Sequence, residues 1–254
     1  MLDVLVPETV FAFLLLFARI GAALMLLPGF GELYVAPRIR LLLALAITLV
    51  LMPVLSGGLP GLPGDPASLL LLLGGEIAVG VFLGVLAQII LSALHTAGMI
   101  VAFQSGFANA LAFDPNTNQQ GSLAGLFLGT TALLLLFVAG GHHLMLRAVA
   151  DSYGLFVPGD PLPVGDFSMA VTDVVARSFA LALQIAAPFI VVGLLFYLGL
   201  GLLARLMPQV QVFFIAMPLQ ILLGLFLLAL TVSALMMWFM TRFRDLFGAF
   251  LATG

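Results

Sequence analysis

The sequence contains no cysteine and no lysine, and only 7% of its 254 residues are charged. The missing cysteine excludes disulfides, thiol catalysis and cysteine metal sites, and says nothing about compartment. An average soluble domain carries about 25% charged residues, so the surface expected of such a domain is missing. The formal net charge is −3, with all eight cations arginine. Nucleic acid needs basic stripes, so it is excluded as a partner. No HExxH, P-loop, GxGxxG or nucleophile elbow is present. Nothing supports an enzyme, and no cofactor or metal is expected. What is abundant is apolar: 63% hydrophobic residues and a mean hydropathy of +1.30. A soluble domain this apolar could not cover its own surface, so lipid or a large partner surface must do it.

The first ten residues hold Asp3 and Glu8 and no cation. A signal peptide needs a positive start, so the first apolar segment is expected to stay as a helix. Apolar blocks run over about Phe11–Leu27, Leu41–Leu55, Ala67–Ala112, Ser122–Ala139, Phe179–Ala204 and Phe213–Met240, punctuated mostly by Gly and Pro. The fold class is all-α, a membrane-type protein of six or more mostly apolar helices with kinks and breaks. One domain over residues 1–254 is expected, since no soluble domain fits between the blocks. A bilayer core takes roughly 20 apolar residues per helix. The second block has 15, and the third has 46. The third is expected to hold two helices broken near His95–Gly98. Pro188 and Pro218 are expected to kink or break their helices. The positive-inside rule gives no consistent topology: no assignment puts Arg205 and the Arg242–Arg244 pair on the same side as Arg38 and Arg40. So weak a bias suggests something other than an ordinary multi-pass protein.

Two rows of small and polar residues recur every fourth position, which places each row on one helix face. The first is Glu76, Gly80, Gly84, Gln88, Ser92, Thr96; the second is Gly98, Ala102, Gly106, Ala110. Small residues let backbones approach, and polar ones hydrogen-bond across. An assembly interface and an intramolecular helix contact explain the rows equally well. The ionisable residues inside apolar blocks are Arg19, Glu76 and His95, and these are functional candidates by default. The sequence joins them into no single site. Pairing with a carboxylate or snorkelling is the favoured account of Arg19. Asp173–Arg177 and Arg147–Asp151 have ion-pair spacing. His142 and His143 are expected on different helix faces and so not as a chelate. The segment Phe103–Gly121, FQSGFANALAFDPNTNQQG, passes from an apolar helix into an amide-rich loop. Polar backbone at membrane depth is tolerated only when buried in protein or lining a cavity, which favours a pore-facing element.

Taken together, these segments resemble the FliR family, the counterpart of the SctT subunit of virulence-type secretion systems. The likeness is carried by ARIGAALMLLPGFGE (Ala18–Glu32), VAPRIRLLLALAI (Val35–Ile47), GFANALAFDPNTNQQ (Gly106–Gln120), GGHHLMLRAV (Gly140–Val149) and ARLMPQVQVFFIAMPLQILLGL (Ala204–Leu225). In the last of these, Pro208 and Gln209 stop one helix and Pro218 opens another. Their order and spacing cover nearly the whole chain. The resemblance implies a closed export gate at the flagellar basal body in the bacterial inner membrane. FliP and FliQ homologues would be its partners there, FlhB and FlhA homologues its neighbours, and unfolded export substrates its cargo. It also implies a plug formed by the loop at Gly106–Gly121, with Gly106, Phe107, Asn109, Phe113, Asp114, Pro115 and Asn116 lining or blocking the channel. Apolar rings and a removable loop close a wide pore by dewetting and occlusion, and the 11 methionines are flexible enough to seal around varied cargo. A virulence-system subunit is the near alternative. A secondary transporter, with a site at Glu76 and helices broken at Pro188 and Pro218, is the distant one; it predicts an internal repeat that is not visible.

Overall fold

The computed structural model describes residues 2–107, 122–207 and 212–248. These residues form seven α-helices, with no strand among them. They are α1 (Leu2–Leu26), α2 (Pro37–Leu55), α3 (Pro66–Gln104), α4 (Leu123–Val138), α5 (Gly141–Leu155), α6 (Val164–Leu206) and α7 (Val212–Gly248). Five of them are long and apolar enough to cross a bilayer. The pair α4 and α5, bent by 73°, makes a sixth candidate span. The protein is therefore an all-α membrane protein.

Three helices are far longer than one crossing requires. α3, α6 and α7 have 39, 43 and 37 residues. At ~1.5 Å per residue they reach about 55–65 Å, roughly twice the ~30 Å hydrocarbon core. Much of each helix must lie beyond the hydrocarbon or be covered by protein. That is a physical reason for the inconsistent charge bias, since helix ends do not coincide with membrane surfaces.

The expected break at His95–Gly98 does not occur, because α3 runs unbroken through it. Gly98 instead serves a close contact: a Cβ there would stand 2.1 Å from Gly125 Cα. Pro188 and Pro218 also leave α6 and α7 unbroken. Two helical stretches extend beyond the apolar blocks. α6 begins at Val164 rather than near Phe179, and α5 was hidden by His142, His143, Arg147 and Asp151. Along α5 the buried residues Met145, Ala148, Val149, Ser152 and Tyr153 keep the spacing of one helix face. The Arg147–Asp151 pair forms at 3.5 Å on its surface.

The contacts divide the chain into two compact units. The first comprises residues 1–90, 136–174 and 243–254; the second comprises 91–135 and 175–242. The core face of α1 in the first unit presents Leu16, Ile20, Ala23 and Leu24, all buried, and Leu27 just past its end is buried too. The aromatic rings of Phe82, Phe156 and Phe167 pack together beside it, with Phe82 and Phe167 stacked 4.1 Å apart. The core of the second unit is built on Val101, Ala102, Ala124, Ala186 and Phe189. Three of these five are alanines, which matches backbones brought close together.

Candidate functional site

The row Glu76, Gly80, Gly84, Gln88 faces α1 of the same chain. A Cβ at Gly80 would meet the Arg19 carbonyl oxygen at 2.3 Å, and one at Gly84 would meet the Leu26 Cβ at 2.5 Å. The Gln88 amide donates to the Leu26 carbonyl at 2.8 Å. Glycine at two successive turns lets α3 lie against α1 at backbone distance, and the polar ends of the row bond across the seam.

At the head of this seam Arg19 and Glu76 meet, although 57 residues separate them. The Arg19 Nε donates to Glu76 Oε2 at 2.7 Å and Nη2 donates to Oε1 at 2.9 Å. This fork-on-carboxylate geometry is the strongest form of the pair. Nη1 donates to Ser152 Oγ at 3.1 Å, and Nη2 also donates to the Phe156 carbonyl at 2.8 Å. The Tyr153 ring lies 3.9 Å beneath the guanidinium carbon, a cation–π contact. The Ser152 hydroxyl in turn donates a hydrogen bond to the Val149 carbonyl at 2.7 Å. Arg19 and Glu76 are 1% and 3% exposed. Charges so deeply buried persist only when paired and hydrogen-bonded, and both conditions hold. Two of the three ionisable candidates thus form one cluster, which sequence spacing alone could not join. His95 is exposed, with its ring over Gly129 in the second unit.

The second unit holds a neutral polar cluster at the end of α3. The Gln220 amide nitrogen donates to the Gln104 carbonyl at 2.9 Å and to the Tyr197 hydroxyl at 3.0 Å. Gly106, with φ +72°, ends the helix against the Gln220 amide, 3.3 Å from where its Cβ would be. Such a left-handed residue is the usual helix stop. A Cβ at Gly193 would strike the Gln104 side chain, and one at Gly224 would strike Ser105. Ser122 opens α4: its hydroxyl donates to the Gly98 carbonyl at 2.8 Å and accepts the Gly125 N–H at 3.2 Å. The row Gly98, Ala102, Gly106 thus packs, within this unit, against α4 and Gln220.

The remaining expected site residues fall into two sets. Phe107 lines an apolar groove of about 390 Å³ with Leu123, Phe127, Leu225 and Leu228. Pro218 is exposed in the early part of α7. Asn109, Ala110, Phe113, Asp114, Pro115 and Asn116 lie outside the described residues, as do Pro208 and Gln209. His142 and His143 depart from expectation. Their rings approach to 4.0 Å, and His142 stacks on Phe137 at 5.0 Å. The left-handed Gly140, φ 73°, starts the helix there, and side chains of a first turn can fold toward one another.

Outside the apolar spans, Asp65 caps α3. The Ser68 backbone N–H and hydroxyl each donate to its carboxylate at 2.8 Å. These bonds, the backbone one foremost, hold the Asp65 carboxyl below the ordinary carboxylate range.

The family described as Bacterial export proteins, family 1 matches residues 10–246 of this chain. The flagellar biosynthetic protein FliR of Caulobacter vibrioides is 36% identical over 240 residues, covering 93% of this chain and 94% of that protein. FliR of Bacillus subtilis is 32% identical over 227 residues, covering 88% and 87%. The Yop proteins translocation protein T of Yersinia pestis is 34% identical over 169 residues, covering 63% and 62%.

Proposed function

From the premise that this chain belongs to the bacterial export proteins of family 1, we propose that it is a subunit of a flagellar type III export gate. It would form a closed channel with FliP and FliQ homologues, in the bacterial inner membrane at the basal body. FlhB and FlhA homologues would adjoin it, and unfolded flagellar proteins would pass through. The observation that carries this reading is the length of the match: the likeness to FliR of Caulobacter vibrioides covers 93% of the chain. The likeness to the Yop protein covers 63%, which ranks the virulence-system role second.

The fold supplies supporting physics. α3, α6 and α7 exceed one bilayer crossing, and their exposed apolar flanks need protein or lipid to cover them. Only 11% of the most apolar stretch of α2 is buried within the chain. Within the proposed gate, the loop at Gly106–Gly121 is the plug. Gln220, which also donates to the Tyr197 hydroxyl, holds its root by bonding the Gln104 carbonyl at the end of α3, and Phe107 starts it in the apolar groove. Glu76 then serves as a structural partner of Arg19 rather than a transport site.

Affinity purification of the tagged chain in mild detergent, from cells expressing the whole operon, tests the proposal. FliP-like and FliQ-like proteins in one stable particle are the expected result. A stable lone monomer or homodimer would overturn it.

A further inference from the structure

A cleft of about 1030 Å³ opens in the first unit, above the Arg19–Glu76 pair. Two short Gly- and Pro-rich connections wall it, one before α3 and one between α5 and α6; Pro60, Gly61, Pro161 and Pro163 are among the lining residues. Its apolar walls include Leu70, Leu71, Val157 and Val164, which are 70%, 78%, 46% and 68% exposed. The polar side chains at the cleft are mostly already engaged. Arg19 and Glu76 satisfy each other, and Ser68 is bonded to Asp65. A site for a polar small molecule needs free polar groups that converge on the ligand, so this cleft is poorly suited to one.

Apart from the paired Arg19 and Glu76, its charge has one sign. Residues 56–76 and 155–166 carry Asp65, Glu76, Asp160 and Asp166 and no cation. Arg19 neutralises Glu76 on the cleft floor. Asp160 lines the cleft, Asp65 stands beside it on Ser68, and both carboxylates are exposed. An anionic lipid headgroup would be repelled here, and an acidic peptide likewise. We propose that this cleft binds a short extended peptide segment of a partner protein, with apolar residues against Leu70, Leu71 and Val164 and a lysine or arginine at Asp160. The apolar walls supply affinity, and the acidic mouth sets the sign of the partner's flanks. This holds whichever secretion system the subunit serves.

Two synthetic nine-residue peptides with the same Leu-Val core, one flanked by lysines and one by glutamates, test the proposal. They are titrated by fluorescence anisotropy against the full-length protein in nanodiscs of zwitterionic phospholipid, with empty nanodiscs as baseline. The lysine-flanked peptide is expected to bind about tenfold tighter, a few exposed ion pairs' worth, and to weaken as salt rises. Asp160→Asn should narrow that preference several-fold, and Leu71→Gln should weaken both peptides. Equal binding, a glutamate preference, a preference untouched by Asp160→Asn, or no binding above empty nanodiscs would each overturn it. Co-purification with FliP-like and FliQ-like proteins is read separately, so failure here leaves the gate reading standing.

Discussion

The two compact units bury polar groups in opposite ways. The first buries a full ion pair, and its guanidinium is forked onto a carboxylate, bonded to a hydroxyl and a carbonyl, and set over a ring. The second buries uncharged amides and hydroxyls, where one amide nitrogen bridges a backbone carbonyl and a phenol. In the same neutral cluster, the buried Ser105 hydroxyl has no hydrogen-bond partner among the described residues. The difference lies in what is left when one partner is removed. A charge stripped of its partner in an apolar interior is far costlier than a lone amide or hydroxyl. The first unit should therefore tolerate concerted replacement and resist single ones. The second should lose stability by smaller steps.

Glu76→Ala should have the largest effect, stranding the Arg19 guanidinium at a cost of about 3–5 kcal/mol. The purified protein should show a much lower melting temperature and a sharply reduced yield from the membrane. Arg19→Met combined with Glu76→Leu should recover most of that loss, because a buried pair replaced by apolar residues is often neutral. If the double variant melts as low as the single one, the ion pair is doing more than satisfying itself. Gly98→Ala should cost about 1–3 kcal/mol as an overpacked contact, since its methyl would meet Gly125 backbone rather than a movable side chain. The same melting assay checks it, and an unchanged Tm would show that α3 and α4 can separate freely there.

Gln220→Leu should cost less, about 1–2 kcal/mol, for the bonds lost to the Gln104 carbonyl and Tyr197. Faster amide exchange near residue 104, with exchange near residue 80 unchanged, would place the effect in the second unit alone. The smallest effect belongs to Asp65. Its carboxyl titrates below the unfolded value, so its capping contribution is complete above the ordinary carboxylate range. It is lost as pH falls through the lowered folded value. Protection of the Ser68 amide, its exchange rate relative to the intrinsic rate at each pH, should fall on acidification in the wild type and stay low at every pH in Asp65→Ala.

Much of this architecture was legible in the residues. Apolar runs announced the membrane helices, and the four-residue rows at Glu76–Gln88 and Gly98–Gly106 marked faces that the structure brings against other helices. What such a row faces is not written in its own spacing. Arg19 lies 57 residues from Glu76, and no local rule joins them. Gly98 misled because glycine serves both as helix breaker and as contact surface, and only the nearness of Gly125 decides between them. α5 escaped notice because two histidines, Arg147 and Asp151 dilute its hydropathy, although its buried positions keep helical period. The early start of α6 was missed for the same reason, given Asp166, Asp173 and Arg177. The amide-rich loop at Asn109–Asn116 lies outside the described residues; its pore-facing character is an expectation from composition, and its role as a plug one from resemblance.

α2 has a consequence of its own. Ala44 and Thr48 are the buried positions of this 19-residue helix, and Thr48 spends its hydroxyl on the Ala44 carbonyl at 2.7 Å. Such an element carries little of the chain's own cooperativity, so its order is borrowed from whatever surrounds it. A chain made in excess of whatever covers it would present α2 as a bare apolar rod.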